Sequence, residues 1–310
     1  MPGSVTSLRG GDTGPVSDLD TWETAGERLP VGDGAEVWAG RFPASGEAGN
    51  PPLLVLHGFP TCSYDWRAVL PVLRAERDVV LFDFVGFGLS DKPDRRYGLR
   101  LHADTAEAVA AHFGLVEVDL LTHDMGDSVG GELLARSLER TLGFTIRRRV
   151  LTNGSIYLGM AHLSDGQNAL MSLPDAREEL VGADGGAAFQ RGLRATLAPG
   201  SDVADGEFAA LAELARRDGG LSLLPRTIRY LDDRRADERR FTGAIEAHPS
   251  PLTVVWGDQD PIAVVAMVDA LVAARPDTAV TILEGVGHYP MLEAPGAFAD
   301  AVVAGVTTGV

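Results

Sequence analysis

The chain has a single cysteine, Cys62, and a single lysine, Lys92, in 310 residues. One cysteine excludes an internal disulfide and a thiolate-based zinc site, and matches a reducing compartment. With lysine nearly absent, positive charge is carried by arginine, and nothing in the chemistry below requires that bias. The formal net charge is −17, against a nucleic-acid partner, which would call for a basic stripe. No apolar run approaches the length needed to span a bilayer. Residues Met1–Asp20 are rich in Gly, Ser, Asp and Thr and lack an apolar h-region, so they read as a flexible leader, not a signal peptide. These absences predict a cytoplasmic protein with no nucleic-acid and no membrane partner. What is present is ordinary for a soluble globular enzyme: 45% hydrophobic and 23% charged residues. The length suits one large α/β domain or a core with an inserted module.

Strand-like apolar runs occur at Ala35–Ala39, Leu53–Leu56, Val79–Phe82, Val116–Leu121 and Ile146–Leu151. Helical patterns alternate with them around Trp66–Leu73, over Leu101–Phe113 and from Met125 to about Leu138. This βαβα order predicts a mostly parallel sheet with helices on both faces. From Gly154 to Gly243 strand candidates vanish, and the visible patterns, Phe208–Arg216 and Leu221–Leu231, are helical. Strands return at Leu252–Trp256 and Ala279–Leu283, with helices over Ile262–Ala274 and Pro295–Ala304. The predicted organisation is a leader at 1–20, a core at 21–153 and 244–310, and a helical cap at 154–243. No repeat of solenoid spacing occurs.

Residues useful to hydrolysis stand at the ends of four of these runs. Thr122-His123-Asp124-Met125-Gly126 has the small-x-acid-x-small spacing of a sharp strand-to-helix turn, which would hold the Asp124 side chain over the next helix N-terminus. A carboxylate so placed attacks carbon and forms an ester. His57-Gly58-Phe59-Pro60 ends the third strand, Asp260 follows the seventh with Asp258 as its competitor, and His288 follows the last. Ligands of open α/β sheets bind outside the carboxyl ends of the strands, so the four would share one crevice. The backbone N–H groups of Phe59 and Met125 would then form an oxyanion hole. Plainer readings exist: Asp124 as a helix N-cap, His288 as a turn histidine, and His57–Pro60 as a simple turn.

In the chain order nucleophile, acid, histidine, these residues resemble the α/β-hydrolase fold family, in the branch with an aspartate nucleophile that includes epoxide hydrolases and haloalkane dehalogenases. The resemblance spans roughly residue 30 to the C-terminus and is weakest over the cap. Asp83-Phe84-Val85-Gly86-Phe87-Gly88-Leu89-Ser90-Asp91-Lys92-Pro93, Leu151-Thr152-Asn153-Gly154 and His288-Tyr289-Pro290-Met291-Leu292-Glu293 are similar to hydrolases of the mesoderm-specific transcript protein type. The resemblance implies an eight-stranded, mostly parallel sheet flanked by helices, with an inserted helical cap. It also implies that the acid is Asp260, in Gly-x-x-Asp-Pro, leaving Asp258 as a turn-former. Asn153 stands where some relatives keep the acid, and it cannot carry that charge.

The two reactions of the branch differ in the leaving group. An epoxide oxygen needs an acidic O–H, supplied in relatives by cap tyrosines; Tyr230 stands close to that place and Tyr157 fits a second position less well. A halide needs N–H donors, and relatives place a Trp directly after the nucleophile, where this chain has Met125. Phe59 replaces their asparagine, and none of the four tryptophans lies in the cap. The resulting expectation is an epoxide hydrolase acting through Asp124, with water activated by His288. The alternatives are a haloalkane dehalogenase with an atypical halide site and a non-catalytic protein of the same fold. No metal or cofactor is expected, since the seven histidines show no ligand spacing. Cap residues Leu158, Met160, Leu163, Leu170, Met171 and Leu173 predict a pocket for a small apolar or amphipathic substrate, or simply join cap to core. The Asp232–Arg240 charge run reads as a solvated helix face. A homodimer is compatible with the sequence.

One local motif competes. Gly126-Asp127-Ser128-Val129-Gly130 spells the serine-hydrolase pattern, yet Ser128 falls about one turn inside the helix, past the point where an elbow exposes its nucleophile. Ser128→Ala is therefore expected to leave turnover unchanged, and a fluorophosphonate probe to leave Ser128 unlabelled.

Overall fold

The structure is a computed structural model that describes residues 15–32 and 34–307. Residues 1–14 of the expected leader lie outside the described residues. The remainder of that leader is helical, within a helix at Pro15–Thr24. The expectation missed it because its buried residues Leu19 and Trp22 are set in a polar segment. The Trp22 ring stacks on Trp38 at 5.3 Å and on Phe42 at 5.6 Å.

Eight strands form one sheet: β1 (Glu27–Pro30), β2 (Glu36–Phe42), β3 (Leu53–Leu56), β4 (Val79–Phe82), β5 (Glu117–His123), β6 (Thr145–Thr152), β7 (Leu252–Gly257) and β8 (Ala279–Leu283). Their spatial order is β1-β2-β4-β3-β5-β6-β7-β8. β1 and β2 pair antiparallel, as do β2 and β4, and every pairing from β4 to β8 is parallel. Every residue of β3 and β4 is buried. That is why both read as unbroken apolar runs rather than alternating ones. Parallel strands end on the same edge. There β3 leads into His57–Pro60, β5 into Asp124, β6 into Asn153, β7 into the Asp260 loop and β8 into the His288 loop.

Among the described residues, no strand lies between β6 and β7. The helices there include Asp165–Ser172, Ala187–Arg194, Asp205–Arg216 and Tyr230–Ala236. The segment Leu221–Leu231, expected as one helix, is instead broken into short pieces. Asp218 and Gly219 take left-handed φ values of 53° and 70°, and Pro225 starts a fresh turn at Leu224–Thr227. The last helix, Glu238–Ala247, packs directly on the helix Met125–Leu138. A Cβ on Gly131 would lie 2.8 Å from the Phe241 carbonyl oxygen, and Arg240 pairs with Glu132 at 2.6 Å and Glu139 at 2.7 Å. The helical layer of the sheet therefore resumes before Gly243, earlier than the sequence suggested.

A buried ion pair joins the strand that carries the elbow to the end of the chain. Arg77 Nη1 donates to Asp119 Oδ2 at 2.5 Å, and Nη2 donates to the Val306 carbonyl at 3.3 Å. The two side chains are 2% and 0% exposed, so losing one strands the other in the interior. Arg77→Met is expected to lower the free energy of unfolding by about 3–5 kcal/mol, read as a lower denaturant midpoint at unchanged slope.

Candidate active site

Asp124 is the single residue between β5 and the helix Met125–Leu138, and it holds φ 50° with ψ −116°. A side-chain-bearing residue at positive φ of this kind costs on the order of 1–3 kcal/mol, and such strain clusters at functional sites. The flanking glycines are what make the turn possible. A Cβ on Gly126 would sit 2.6 Å from the Leu56 carbonyl oxygen, and one on Gly58 would sit 2.6 Å from Asp124 Cβ. The carboxylate is buried and met by backbone donors. Phe59 N–H donates to Asp124 Oδ2 at 2.8 Å, and Met125 N–H also bonds the carboxylate. Burial drives the Asp124 pKa up; His288, the two N–H groups and Arg234 oppose this without cancelling it.

The structure brings Asp124, His288 and Asp260 together. His288 Nδ1–H donates to Asp260 Oδ2 at 2.7 Å. Asp260 Oδ1 accepts from Ile262 N–H at 2.7 Å and Ala263 N–H at 3.0 Å. Asn153 Nδ2 donates to Asp260 Oδ2 at 2.8 Å while its Oδ1 accepts from Gly257 N–H at 2.9 Å. The asparagine at the end of β6 thus fixes the acid's orientation. Asp258 takes a turn role, accepting from Gly285 N–H at 2.7 Å. On its other side, His288 Nε2 stands 3.7 Å from Asp124 Oδ1, too far for a hydrogen bond. Burial pulls the imidazole pKa down, but Asp260, then Asp124 and Glu293, outweigh it and raise the value to about 9.

Several groups that position this triad were not singled out from the sequence. His123 Nε2–H donates to the His288 carbonyl at 2.8 Å, a strut from β5 to the histidine loop. Glu293 accepts from Gly287 N–H at 3.1 Å and Tyr289 N–H at 3.2 Å, and also from Ala198 N–H at 2.8 Å. His288 N–H donates to the Thr196 carbonyl at 3.0 Å. The nearest signal was the family-like stretch His288–Glu293, which marks a loop without saying what braces it.

Tyr230 is 2% exposed, its ring lies 5.9 Å from that of Phe59, and Asp124 is near enough to raise its pKa further beyond the effect of burial. Tyr157 is not part of this group. Its hydroxyl donates to Glu246 at 3.1 Å. The chain leaving β6 is strapped to the helix Glu238–Ala247 by Thr242 Oγ1–H donating to the Ile156 carbonyl at 2.6 Å and Leu158 N–H donating to Glu238 at 2.7 Å. The Asp232–Arg240 run is also not a purely solvated face, because Arg234 within it is 3% exposed.

A cavity of about 510 Å³ adjoins His288, with Phe59, Ile262 and Tyr289 beside it in the lining, while Asp124, Asp260, Tyr230 and Tyr157 do not line it. Its roof includes Leu170, Leu173, Leu180, Phe189, Leu193, Leu221 and Leu224. Of the cap residues expected there, Leu158, Met160, Leu163 and Met171 do not line it, and no tryptophan does. Among the described residues, no three His, Cys, Asp or Glu side chains gather as a metal site would need. No helix among them is long and apolar enough to cross a membrane.

The Alpha/beta hydrolase family model matches residues 53–301. The chain belongs to this family. LipZ of Mycobacterium tuberculosis is 41% identical over 284 residues, covering 91% of this chain and 96% of LipZ. The mesoderm-specific transcript protein of Mus musculus is 31% identical over 91% of this chain and 86% of its own length. A shorter match, 37% identity over 78 residues, reaches the soluble epoxide hydrolase of a Corynebacterium, covering 25% of this chain and 27% of that protein. Among solved structures, a haloalkane dehalogenase loop variant from Bradyrhizobium elkanii superposes with a TM-score of 0.71 at 21% identity, covering 90% of this chain and 95% of the other. The protein is an alpha/beta hydrolase enzyme with the family's eight-stranded, mostly parallel sheet.

The raised pKa of His288 has a stability consequence. Its contribution is complete below the ordinary histidine value of 6.5 and is lost as pH rises through about 9. Stability is expected to decline between these limits, and Asp260→Asn to flatten the decline, as chemical denaturation at the two pH values would measure.

Proposed function

We propose that this hydrolase opens epoxides to vicinal diols through a covalent ester on Asp124. The observation that carries the reading is the carboxylate at the strained elbow, held by two backbone N–H groups and facing the Asp260-paired imidazole across a 3.7 Å gap. Oδ2, already bonded to Phe59 N–H, becomes the ester carbonyl oxygen, so Oδ1 is the attacking atom. Oδ1 bonds to a ring carbon, the carbon–oxygen bond breaks, and the freed oxygen takes the Tyr230 proton.

Ester formation removes the Asp124 charge, one of the influences that raise the His288 pKa. The imidazolium then gives up its proton, which restores the Tyr230 hydroxyl. Neutral His288 next draws a proton from a water that attacks Asp124 Cγ, and the Phe59 and Met125 N–H groups hold the tetrahedral oxyanion. Collapse breaks the Cγ–Oδ1 bond. Oδ1 leaves on the substrate carbon as the second hydroxyl, taking the remaining hydrogen of the water, while the water oxygen stays in the regenerated Asp124 carboxylate. His288 is again imidazolium, so epoxide plus water gives diol.

The largely apolar walls of the cavity favour an apolar or amphipathic substrate. Met125 after the nucleophile and the absence of tryptophan from the cavity lining weigh against a halide site of the usual kind. Ser128, fourth residue of the elbow helix, stands outside the turn that Asp124 occupies.

His288→Gln is expected to attack but not hydrolyse, so mass spectrometry after exposure to styrene oxide should show an adduct on the peptide carrying Asp124. An unmodified peptide, with the parent turning over the same epoxide, would refute the covalent route. Tyr230→Phe is expected to slow adduct formation by about 100-fold or more, the scale of a lost general acid.

A further inference from the structure

Arg234 lies four residues after Tyr230 in the helix Tyr230–Ala236, so the two side chains share one helix face. It is 3% exposed. Its neighbours Arg229 and Arg235 both pair with Asp232, but Arg234 has no carboxylate in salt-bridge contact among the described residues. Its Nη2 is sealed from solvent with no hydrogen-bond partner. A guanidinium stays charged throughout the physiological range, and an unpaired charge in the interior is strongly destabilising. The groups that act most on this charge in its favour are Tyr230 and then Asp124, the proposed acid and the proposed nucleophile.

A leaving oxygen is best held by two donors, and the tyrosine expected as the second is committed to Glu246. The Tyr289 hydroxyl lies beside Thr61, whose own proton goes to Asp65, and Tyr289 stands outside the helix that carries Tyr230. Among the described residues, Arg234 Nη2 is a buried donor without a hydrogen-bond partner on the helix that carries Tyr230.

We propose that Arg234 is the second donor to the leaving oxygen, its Nη2–H bonding the ring oxygen beside the Tyr230 hydroxyl as the epoxide opens. This rests on the epoxide reading above. The bond made is Asp124 Oδ1 to carbon, and the bond broken is ring carbon to oxygen. The electron pair stays on that oxygen, and the proton it gains comes from Tyr230. Arg234 transfers nothing. Its positive charge offsets the alkoxide as it forms and then the phenolate left on Tyr230, until the His288 proton restores the hydroxyl. The site therefore selects substrates whose departing group is an oxygen that can accept two hydrogen bonds.

The test isolates the attack step in the His288→Gln background, where the ester accumulates. Rapid mixing with styrene oxide and with a long-chain terminal epoxide, followed by mass spectrometry of the Asp124 peptide, gives the rate of adduct formation. Adding Arg234→Met is expected to slow that rate by about 100-fold, the effect of removing one donor from an oxyanion site. Its melting temperature is expected to hold or rise, since an unpartnered buried charge has gone; a purely structural arginine would lower it. Where the methionine variant does not fold, Arg234→Gln, which keeps a donor without the charge, is expected to slow attack by a smaller factor. Adduct formation at the parental rate in the folded variants overturns the role of Arg234 and leaves the covalent route standing. No adduct in His288→Gln itself, with an epoxide the parent consumes, overturns both.

Discussion

Backbone touches backbone where β3 meets the first turn of the helix after β5, and the geometry of the site depends on that contact. Gly126 lies so close to the Leu56 and His57 carbonyls that a methyl group has no room, and Gly58 is equally close to Asp124. The approach leaves Asp124 in a backbone conformation that few non-glycine residues adopt. It also carries the N–H of Phe59 onto the carboxylate. Strain of this kind persists only where the surroundings over-determine it, and here two strands and a helix do so.

The charges at the site are arranged against the preference of the interior. Asp124 and Asp127 are buried one helical turn apart, and burial raises both carboxyl pKa values, that of Asp127 strongly. Asp127 is hydrogen-bonded by Thr122, while its Oδ2 has no partner. Among the described residues Arg234 is a cation without an ion pair, and the carboxylates of Asp260, Asp124 and Glu293 raise the His288 pKa against the pull of burial. Perturbed groups gathered at one end of a sheet are what hydrolytic chemistry requires, and they are a burden on stability. Their burial lowers the effective dielectric around them, which strengthens each of these interactions.

The parts of the fold visible in the sequence are those whose burial is local. Leu53–Leu56 and Val79–Phe82 are covered on both faces and match β3 and β4 in extent. The elbow helix matches too, because a small residue, an acid and a glycine announce its start. β1 escaped because only Leu29 of its four residues is buried. The helix at Pro15–Thr24 escaped because its segment is rich in polar residues and shows no clear apolar period. Side-chain fates that depend on distant partners were equally hidden. The Tyr157 hydroxyl is claimed by Glu246, 89 residues away, and a charge run cannot disclose that one of its arginines points inward. The convergence of Asp124, Asp260 and His288 was legible because topology alone sends the parallel strand ends to one edge.

The histidine loop and the turn after the helix Ala187–Arg194 are hydrogen-bonded together. Thr196 and Ala198 bond to His288 and, through Glu293, to its neighbours, so that turn cannot lift without drawing the imidazole away from its carboxylates. Leu180, also in the cavity lining, is 81% exposed. The imidazole ring is anchored through its own peptide from two sides, by the ring of His123 on β5 and by the carbonyl of Thr196.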